Sequence, residues 1–345
     1  MILIQNIYYM LSYAFQILNE QGYKNIATEQ FNNTAELMAA ILEKGIVIQL
    51  KRGLGKEYIP QTEALSSLRG KIDIADSIKT QSIMRKQLIC TYDEFSVNST
   101  MNRIIKSTVE LLLRSNIPKQ RKKNLRKLMV YFSEVDFIDL YTVNWNVQYN
   151  RNNQTYRMLI SICYLVVKGL LQTQSDGSTK LMDFMDEQRM CRLYETFILE
   201  YYRKEFKNQI TANASQIPWQ LDNEEKSMLP VMQSDIHLQK GNTVLIIDAK
   251  YYSHTTQTRY DKHTLHSNNM YQIFTYVKNR DYQFKDEDHK VSGMLLYAKT
   301  DEEIQPNNVY QMSGNQITVR TLDLNKPFVE IADQLNIIVK TNFDL

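Results

Sequence analysis

At 345 residues the chain has room for two domains, and 43% hydrophobic with 10% aromatic residues is an ordinary globular composition. Its 41 basic and 38 acidic residues leave a net charge of +3, so it is no polycation, and any contact with nucleic acid must come from local patches. Three widely spaced cysteines (Cys90, Cys163 and Cys191), with no CxxC pair, argue against a disulfide framework or zinc ribbon and for a reducing cytoplasmic compartment.

The first ten residues are apolar but lack a basic flank and a small-residue cleavage site, and the apolar run breaks at Gln16 and Asn19. A soluble protein with no membrane association is expected. Apolar positions at Ile7, Met10, Leu11, Ala14 and Leu18 predict a helix over 4–19. Ile2, Ile4, Ile7, Tyr8 and Tyr9 crowd its start as expected interface residues. A second helix over 33–50 is expected to run into a strand-like Ile46–Leu50. Lys51-Arg-Gly-Leu-Gly-Lys56 lacks the spacing of a phosphate loop, and Glu57 stands where its hydroxyl belongs, so it reads as a turn. No other stretch offers a nucleotide loop.

Leu68–Asp73 leads to a β-like Gln87–Tyr92, and residues 101–114 form an amphipathic helix capped by Asn98 or Thr100. The densest basic run follows at Lys119–Lys127 and includes Lys119, Arg121, Lys122 and Lys123. It is either a solvated helix face or a DNA contact. Residues 157–171 are a strongly apolar helix expected in the core between two halves, and Gln172–Thr179 has the composition of a loop. An amphipathic helix runs from Asp186 to about Phe206. It carries Glu195, which either reaches a metal at the sheet or pairs with Arg192 or another surface base. Beyond the hairpin described next come a His-containing loop (253–266) and a helix from Asn268 to about Arg280. Strands at 290–297 and 317–322 follow, then a closing helix with Pro327 at its first turn.

The chemistry concentrates in Val231–Tyr251. Two apolar, β-branched runs flank Gly241-Asn242, which reads as a tight hairpin turn. Counting outward pairs Lys240 with Thr243 and sets Asp235 opposite Asp248, with Lys250 on the same face by period-two alternation. Two carboxylates about 5 Å apart repel by roughly 3 kcal/mol at an effective dielectric of about 20. A raised carboxyl pKa, the Lys250 ammonium or a bound cation must offset this. A hard ion such as Mg²⁺ suits paired carboxylates, and Lys250 then has a water to orient or negative charge to neutralise. The alternative is a cross-strand ion network on a half-exposed sheet. Against it, Val244–Ile247 is apolar on both faces, as in a buried strand, where a carboxylate needs a reason. His237 shares the Asp235 face and is expected near substrate. His254, His263 and His266 show no zinc spacing.

From 186 onward the order is helix, short strand, hairpin with Asp…Asp-x-Lys, then a helix with Gln272 and Tyr276 one turn apart. This resembles the PD-(D/E)XK nuclease core, in its variants with a Gln-x-x-x-Tyr helix. Asn6–Ala14, Arg69–Asp73, Asn102–Lys106 and Ser234–Tyr252 together resemble the McrC family, the endonuclease subunits of McrBC modification-dependent restriction systems, over nearly the whole chain.

The resemblance implies a mixed α/β fold. A docking domain of mixed α+β structure (1–155) would precede a nuclease domain (156–345) with a central mixed sheet flanked by helices. It implies a Mg²⁺-dependent DNA endonuclease with Asp235 and Asp248 as metal ligands and Lys250 as the catalytic lysine. Gln272 and Tyr276 would be accessory groups. It further implies a partner ring of McrB-like AAA+ GTPase subunits, stimulated by this chain, and double-stranded DNA carrying modified cytosine as the target. A dimer through the nuclease domain would be compatible with the full complex. Ser234 stands where the family motif often has Pro. Two rival readings are a non-cleaving adaptor that activates a partner NTPase and another Gln-x-x-x-Tyr DNA nuclease.

Overall fold

The structure is a computed structural model. It describes residues 2–345 apart from 16–17, 19–22, 24–25, 27–28, 151–152, 177–186, 224, 226, 253–255 and 260–261. In chain order the elements begin with α1 (Ile4–Ala14), α2 (Thr34–Arg52), β1 (Glu57–Leu65), β2 (Lys71–Asp73), α3 (Ile74–Lys79) and β3 (Leu88–Ser96). Helices α4 (Thr100–Arg114), α5 (Lys119–Met129), α6 (Tyr156–Asp176) and α7 (Glu187–Glu205) follow. Then come β4 (Thr211–Asn213), β5 (Gln216–Ile217), β6 (Met232–Gln233), β7 (Ile236–Lys240), β8 (Thr243–Lys250), β9 (Thr256–Arg259) and β10 (Lys262–Leu265). The chain closes with α8 (Ser267–Tyr282), β11 (Lys290–Ala298), β12 (Asn308–Met312), β13 (Asn315–Leu322) and α9 (Phe328–Phe343).

These elements gather into two compact units, one of residues 1–31 with 185–345, the other of residues 32–184. The expected boundary at 155 is therefore corrected in two places. Helix α1 belongs with the C-terminal elements: Asn6 donates to the carbonyls of Leu324 and Lys326 at 2.8 Å each, and Tyr9 stacks on Phe328 at 4.3 Å. Tyr13 donates to Glu205 at 2.9 Å. Ile7 and Tyr8 are thus buried and not the exposed interface residues expected. Conversely α6 belongs to the 32–184 unit, and it continues through Asp176, so the first part of the expected 172–179 loop is helix while 177–179 lie outside the described residues.

In the 32–184 unit, α2 runs unbroken where a strand was expected at Ile46–Leu50. Asn33 caps it by accepting from Glu36 N–H at 2.8 Å, and Gly53 ends it with φ +89°. A β-branched run favours strand only weakly, and burial of Ile46 and Gln49 among helices overrides it. Ser99, not Asn98 or Thr100, caps α4. Strands β1, β3 and β2 form a three-stranded antiparallel sheet in that order. Asn102, fully buried, ties the unit together. It donates to the carbonyls of Gly55 (2.9 Å) and Val97 (2.8 Å), and it accepts from the Tyr156 hydroxyl at 2.7 Å. That hydroxyl in turn accepts from Gly55 N–H at 2.7 Å. Lys106 donates to the carbonyls of Phe132 and Val135. The Asn102–Lys106 segment is thus an internal clamp.

In the other unit six strands make one mixed sheet in the order β12-β13-β11-β8-β7-β4. Strands β8, β11 and β13 run parallel; the β7–β8, β4–β7 and β12–β13 pairs are antiparallel. Central β8 is buried on both faces, as its apolar run demands. Residues Val244 and Ile246 pack with Ile273, Tyr276 and Val277 of α8. Helix and sheet approach so closely that a Cβ on Gly293 would come within 2.7 Å of Val277 and 2.9 Å of Ile273. Helix α7 contacts the same sheet and α1, and Tyr202 of α7 donates to Leu335 O of α9 at 3.2 Å.

Asn102→Ala would take a donor from two part-buried carbonyls and the acceptor from the buried Tyr156 hydroxyl, at about 1–3 kcal/mol each. Chemical denaturation should therefore show a loss of several kcal/mol in the 32–184 unit, and a variant within about 0.5 kcal/mol of the parent would contradict the clamp.

Candidate active site

The hairpin fixes the geometry. Gly241 takes φ +57° in the turn, and the register runs from Lys240↔Thr243 to Ile236↔Ile247. It stops one pair short of the two aspartates. Asp235 lies just before β7, and its Oδ2 accepts from the backbone N–H of Ala249 at 3.0 Å, which fixes its carboxylate against the chain beside Asp248. Ser234, at 1% exposure, donates through both its backbone N–H (3.0 Å) and its hydroxyl (3.2 Å) to Ser215 O.

Asp248 is 1% exposed. Lys250 lies two residues on, with its Nζ 2.9 Å from each carboxylate oxygen; it hydrogen-bonds Oδ1, while Oδ2 has no hydrogen-bond partner. Burial pushes the Asp248 carboxyl up to about 7; the Lys250 charge opposes this and the Asp235 charge adds to it. For Lys250, burial alone would lower the pKa, but the carboxylates of Asp248 and Asp235 outweigh it and hold the ammonium above its ordinary value. The three expected groups are brought together as the sequence predicts.

Glu195 is half-buried on α7, and a cavity of about 360 Å³ is lined by it together with Ser234 and Asp235. Burial first, then the Asp235 charge, raises its carboxyl pKa, and Cys191 donates its thiol to it at 3.0 Å. Within the described residues Glu195 makes no ion pair, so the Arg192 alternative is not realised. Burial pushes the Cys191 thiol itself up to about 12.

Gln272 donates to the Tyr276 hydroxyl at 3.0 Å, and Tyr276 sits in the core beside Val244 and Ile246. Val244, Ile246 and Asp248 alternate onto one face of β8, so the Gln-x-x-x-Tyr helix covers the face that carries the aspartate. Neither Gln272 nor Tyr276 hydrogen-bonds Asp248 or Lys250. His237 is buried, and burial together with Arg280 lowers its pKa to about 4, which makes it a neutral core residue rather than a substrate contact. His254 lies outside the described residues.

Residues that the sequence did not single out complete the surroundings. Tyr297 of β11 pairs with Lys250 across the parallel ladder and is fully buried. Its hydroxyl accepts from Asn269 of α8 at 2.9 Å, and Asn269 also accepts from Tyr252 at 3.4 Å. The register of a parallel pair is set by a distant crossover, so no local signal in the sequence points to Tyr297.

The donor set suits a hard divalent cation: carboxylate oxygens, one of them (Oδ2 of Asp248) buried and faced by the Lys250 ammonium at 2.9 Å without a hydrogen bond. Among the described residues no three His, Cys, Asp or Glu side chains gather closely enough to hold a metal ion, so Glu195 is not brought into one cluster with Asp235 and Asp248. The basic helix α5 belongs to the 32–184 unit. There Arg121 pairs with Glu43 at 3.0 Å, while Lys119 and Lys123 are exposed and Lys122 is partly exposed. No helix among the described residues is long and apolar enough to cross a membrane.

Comparison with known proteins bears on the whole chain. It is 28% identical over 343 residues to the Type IV methyl-directed restriction enzyme EcoKMcrBC of Escherichia coli (strain K12), covering 96% of this chain and 95% of that protein. Two solved structures resemble it loosely. McrB AAA+ hexamers with bound McrC from Thermococcus gammatolerans match at TM-score 0.47 and 17% identity, over 94% of this chain and 75% of that one. The McrBC complex of the same organism matches at TM-score 0.37 and 21% identity, over 49% and 55%. The family model of the McrBC 5-methylcytosine restriction system component matches residues 5–298. The chain belongs to that family.

Proposed function

We propose that this chain is the DNA-cutting subunit of a McrBC-type complex, a Mg²⁺-dependent endodeoxyribonuclease acting on DNA with modified cytosine alongside an AAA+ GTPase ring. The observation that carries the reading is the buried Asp248–Lys250 pair beside Asp235. A helix–sheet core has no structural use for a buried carboxylate set beside a second one that raises its proton affinity further. Asp235 and Asp248 would hold the cation; Glu195 lines a cavity with Asp235 but not with Asp248, and would join them only if it moved closer. When bound, the ion supplies Lewis-acid polarisation of the scissile phosphate and lowers the pKa of a water.

The chain's own groups do the rest. Lys250, held protonated by its carboxylate neighbours, offsets the negative charge that grows on the phosphorus oxygens as water attacks and the P–O bond to the leaving sugar oxygen breaks. Tyr276, hydrogen-bonded by Gln272 and packed with Val244 and Ile246, helps seat the helix on the face that carries Asp248. Exposed Lys119 and Lys123, with Lys122, are candidate phosphate contacts, whereas Arg121 is committed to Glu43.

No nucleotide loop is present in the sequence, so GTP hydrolysis belongs to the partner ring, stimulated by this chain. The partner surface belongs on the 32–184 unit, where Leu68, Ile74, Ile78, Ile83 and Met84 leave apolar side chains exposed around the Arg69–Asp73 segment, Ile78 at 62% and Met84 at 84%. Gly70 in that segment takes φ +70° with its Cα against Thr91 O, a position only glycine fits.

Asp248→Asn and Lys250→Ala should each lower cleavage, assayed with the partner ring, by on the order of 10²–10³-fold or more. Mg²⁺ should raise the melting temperature of the parent but not of Asp248→Asn. Undiminished cleavage by Asp248→Asn would sink the site assignment.

Ile78→Asp combined with Met84→Asp should abolish stimulation of GTP hydrolysis by the ring while circular dichroism stays that of the parent. Parental stimulation by this double variant would move the docking surface elsewhere.

Replacing Lys119, Lys122 and Lys123 by Gln should flatten the salt dependence of DNA binding by roughly 2–3 units of slope. An unchanged slope would mark α5 as a solvated face.

A further inference from the structure

A second concavity opens in the same unit, away from Asp248. A cavity of about 490 Å³ is bounded by β11, β13, the 305–307 segment and α9. Leu296, Leu322 and Ile338 give it apolar walls, Gln305 contributes a neutral amide, and Arg320 is its charged group. No carboxylate lines it. Gln305 already donates to the carbonyls of Thr300 (3.2 Å) and Glu302 (2.7 Å). Among the described residues the half-buried Arg320 guanidinium has neither a hydrogen bond nor an ion pair, although it lies close enough to the buried Tyr202 to perturb it electrostatically.

That is an unusual place for an uncompensated cation. Half-buried arginines in this protein find acceptors: Arg121 has Glu43, and Arg280 has Gln239 and Gln283. A guanidinium withdrawn from part of its water, against apolar walls and with no acceptor, is stabilised most by an anion from outside, and its planar fork matches the oxygens of a phosphate. The position is also suggestive. Arg320 pairs with Leu296 and Leu296 with Ala249, so it lies two strands from Ala249 in the same cross-strand row, on the face opposite the one that carries Asp248 and Lys250. At about 4.8 Å per strand that is roughly 10 Å between backbones. Strands β8, β11 and β13 are parallel, so their carboxyl ends, where ligands of open α/β sheets bind, lie on one side.

We propose that this cavity is a phosphate-binding site with Arg320 as its donor. The phosphate comes either from a nucleic-acid strand lying across the sheet ends or from a free phosphate or mononucleotide. The site stands on the cavity itself and does not require that Asp248 cleave DNA.

The test uses the full chain in EDTA, with the length of the DNA checked after each titration. Arg320→Met is compared with the parent for binding to a duplex and to a single-stranded oligonucleotide. Melting temperatures are measured with inorganic phosphate and with deoxycytidine monophosphate. If a strand supplies the phosphate, Arg320→Met weakens oligonucleotide binding about 5–10-fold and lowers the salt slope by about 1. Arg320→Lys then keeps the slope but recovers affinity only in part, because a lysine cannot bind with two parallel donors. If the phosphate is free, it raises the melting temperature of the parent and not of Arg320→Met, with oligonucleotide binding unchanged. Without ligand, Arg320→Met should melt no lower than the parent, since it removes an unpaired, half-buried charge. A lower melting temperature for Arg320→Met and for Arg320→Lys alike would make the residue structural and overturn the proposal. So would parental behaviour in both the oligonucleotide and the phosphate experiments.

Discussion

A carboxylate at 1% exposure in the central strand of a six-stranded sheet is the constraint on which the unit of residues 1–31 and 185–345 depends. The strand must be apolar on both faces to hold its place between β7 and β11, and every residue from Val244 to Ala249 is buried. Asp248 interrupts that run with a group that water would stabilise far better. Lys250 offsets the burial by a contact at 2.9 Å, and because it lies at the end of the strand its side chain keeps 13% exposure. The pair is therefore largely inside, with only the lysine reaching solvent. The aspartate is anchored by the sheet, and the lysine stands at the mouth. Asp235, fastened to Ala249 N–H, adds a second charge that the pair does not fully neutralise.

The same strand explains why the unit needs its helices where they are. Helix α8 covers the face with Val244, Ile246 and Asp248, and Gly293 lets it approach within van der Waals distance of β11. Asn269 in its first turn is then held by Tyr297, the cross-strand neighbour of Lys250. Helix α7 brings Glu195 to the cavity that Asp235 shares. Helix α1, from the far end of the chain, is fastened by Asn6 to the turn before α9 and by Tyr13 to the end of α7. The opening residues thus support the unit that carries Asp248, and their apolar crowding reflects core packing rather than a docking face.

How much of this was legible in the sequence follows from the range of each interaction. The hairpin was readable because Gly241-Asn242 fixes a two-residue turn and the turn fixes the register. With the register came the convergence of Asp235, Asp248 and Lys250. Helix α8 was readable from its own periodicity, though not the face it covers. Three features were misread for one physical reason: the deciding contacts are distant in sequence. Ile46–Leu50 has local strand propensity, but it continues α2 because that helix buries it. The division at 155 missed that Asn6 meets Leu324 and that Tyr156 meets Asn102. Arg121 looked like one of four equivalent basic residues until Glu43, far back on α2, claimed it. The 28% identity to the E. coli protein and the family match over residues 5–298 fit the resemblance read from the four separated motifs, which concern order along the chain and do not depend on such contacts.

Ser234 stands where the motif of the resemblance often has proline, and the contacts it makes hold the approach to Asp235 in another way. A proline before Asp235 would fix φ but has no N–H to donate. Here the Ser234 N–H is buried and donates to Ser215 O, and its hydroxyl reaches the same acceptor. That carbonyl lies immediately before β5, which pairs with β6 through Gln216↔Gln233. The chain leading into Asp235 is therefore tethered on two consecutive residues, by a ladder pair at Gln233 and by a doubled acceptor at Ser234. A proline would restrict one torsion angle of the approach, whereas the serine fixes its position in space at the loss of that stiffness. What Asp235 requires is a carboxylate held against Ala249 N–H, and tethering to Ser215 provides it without the ring.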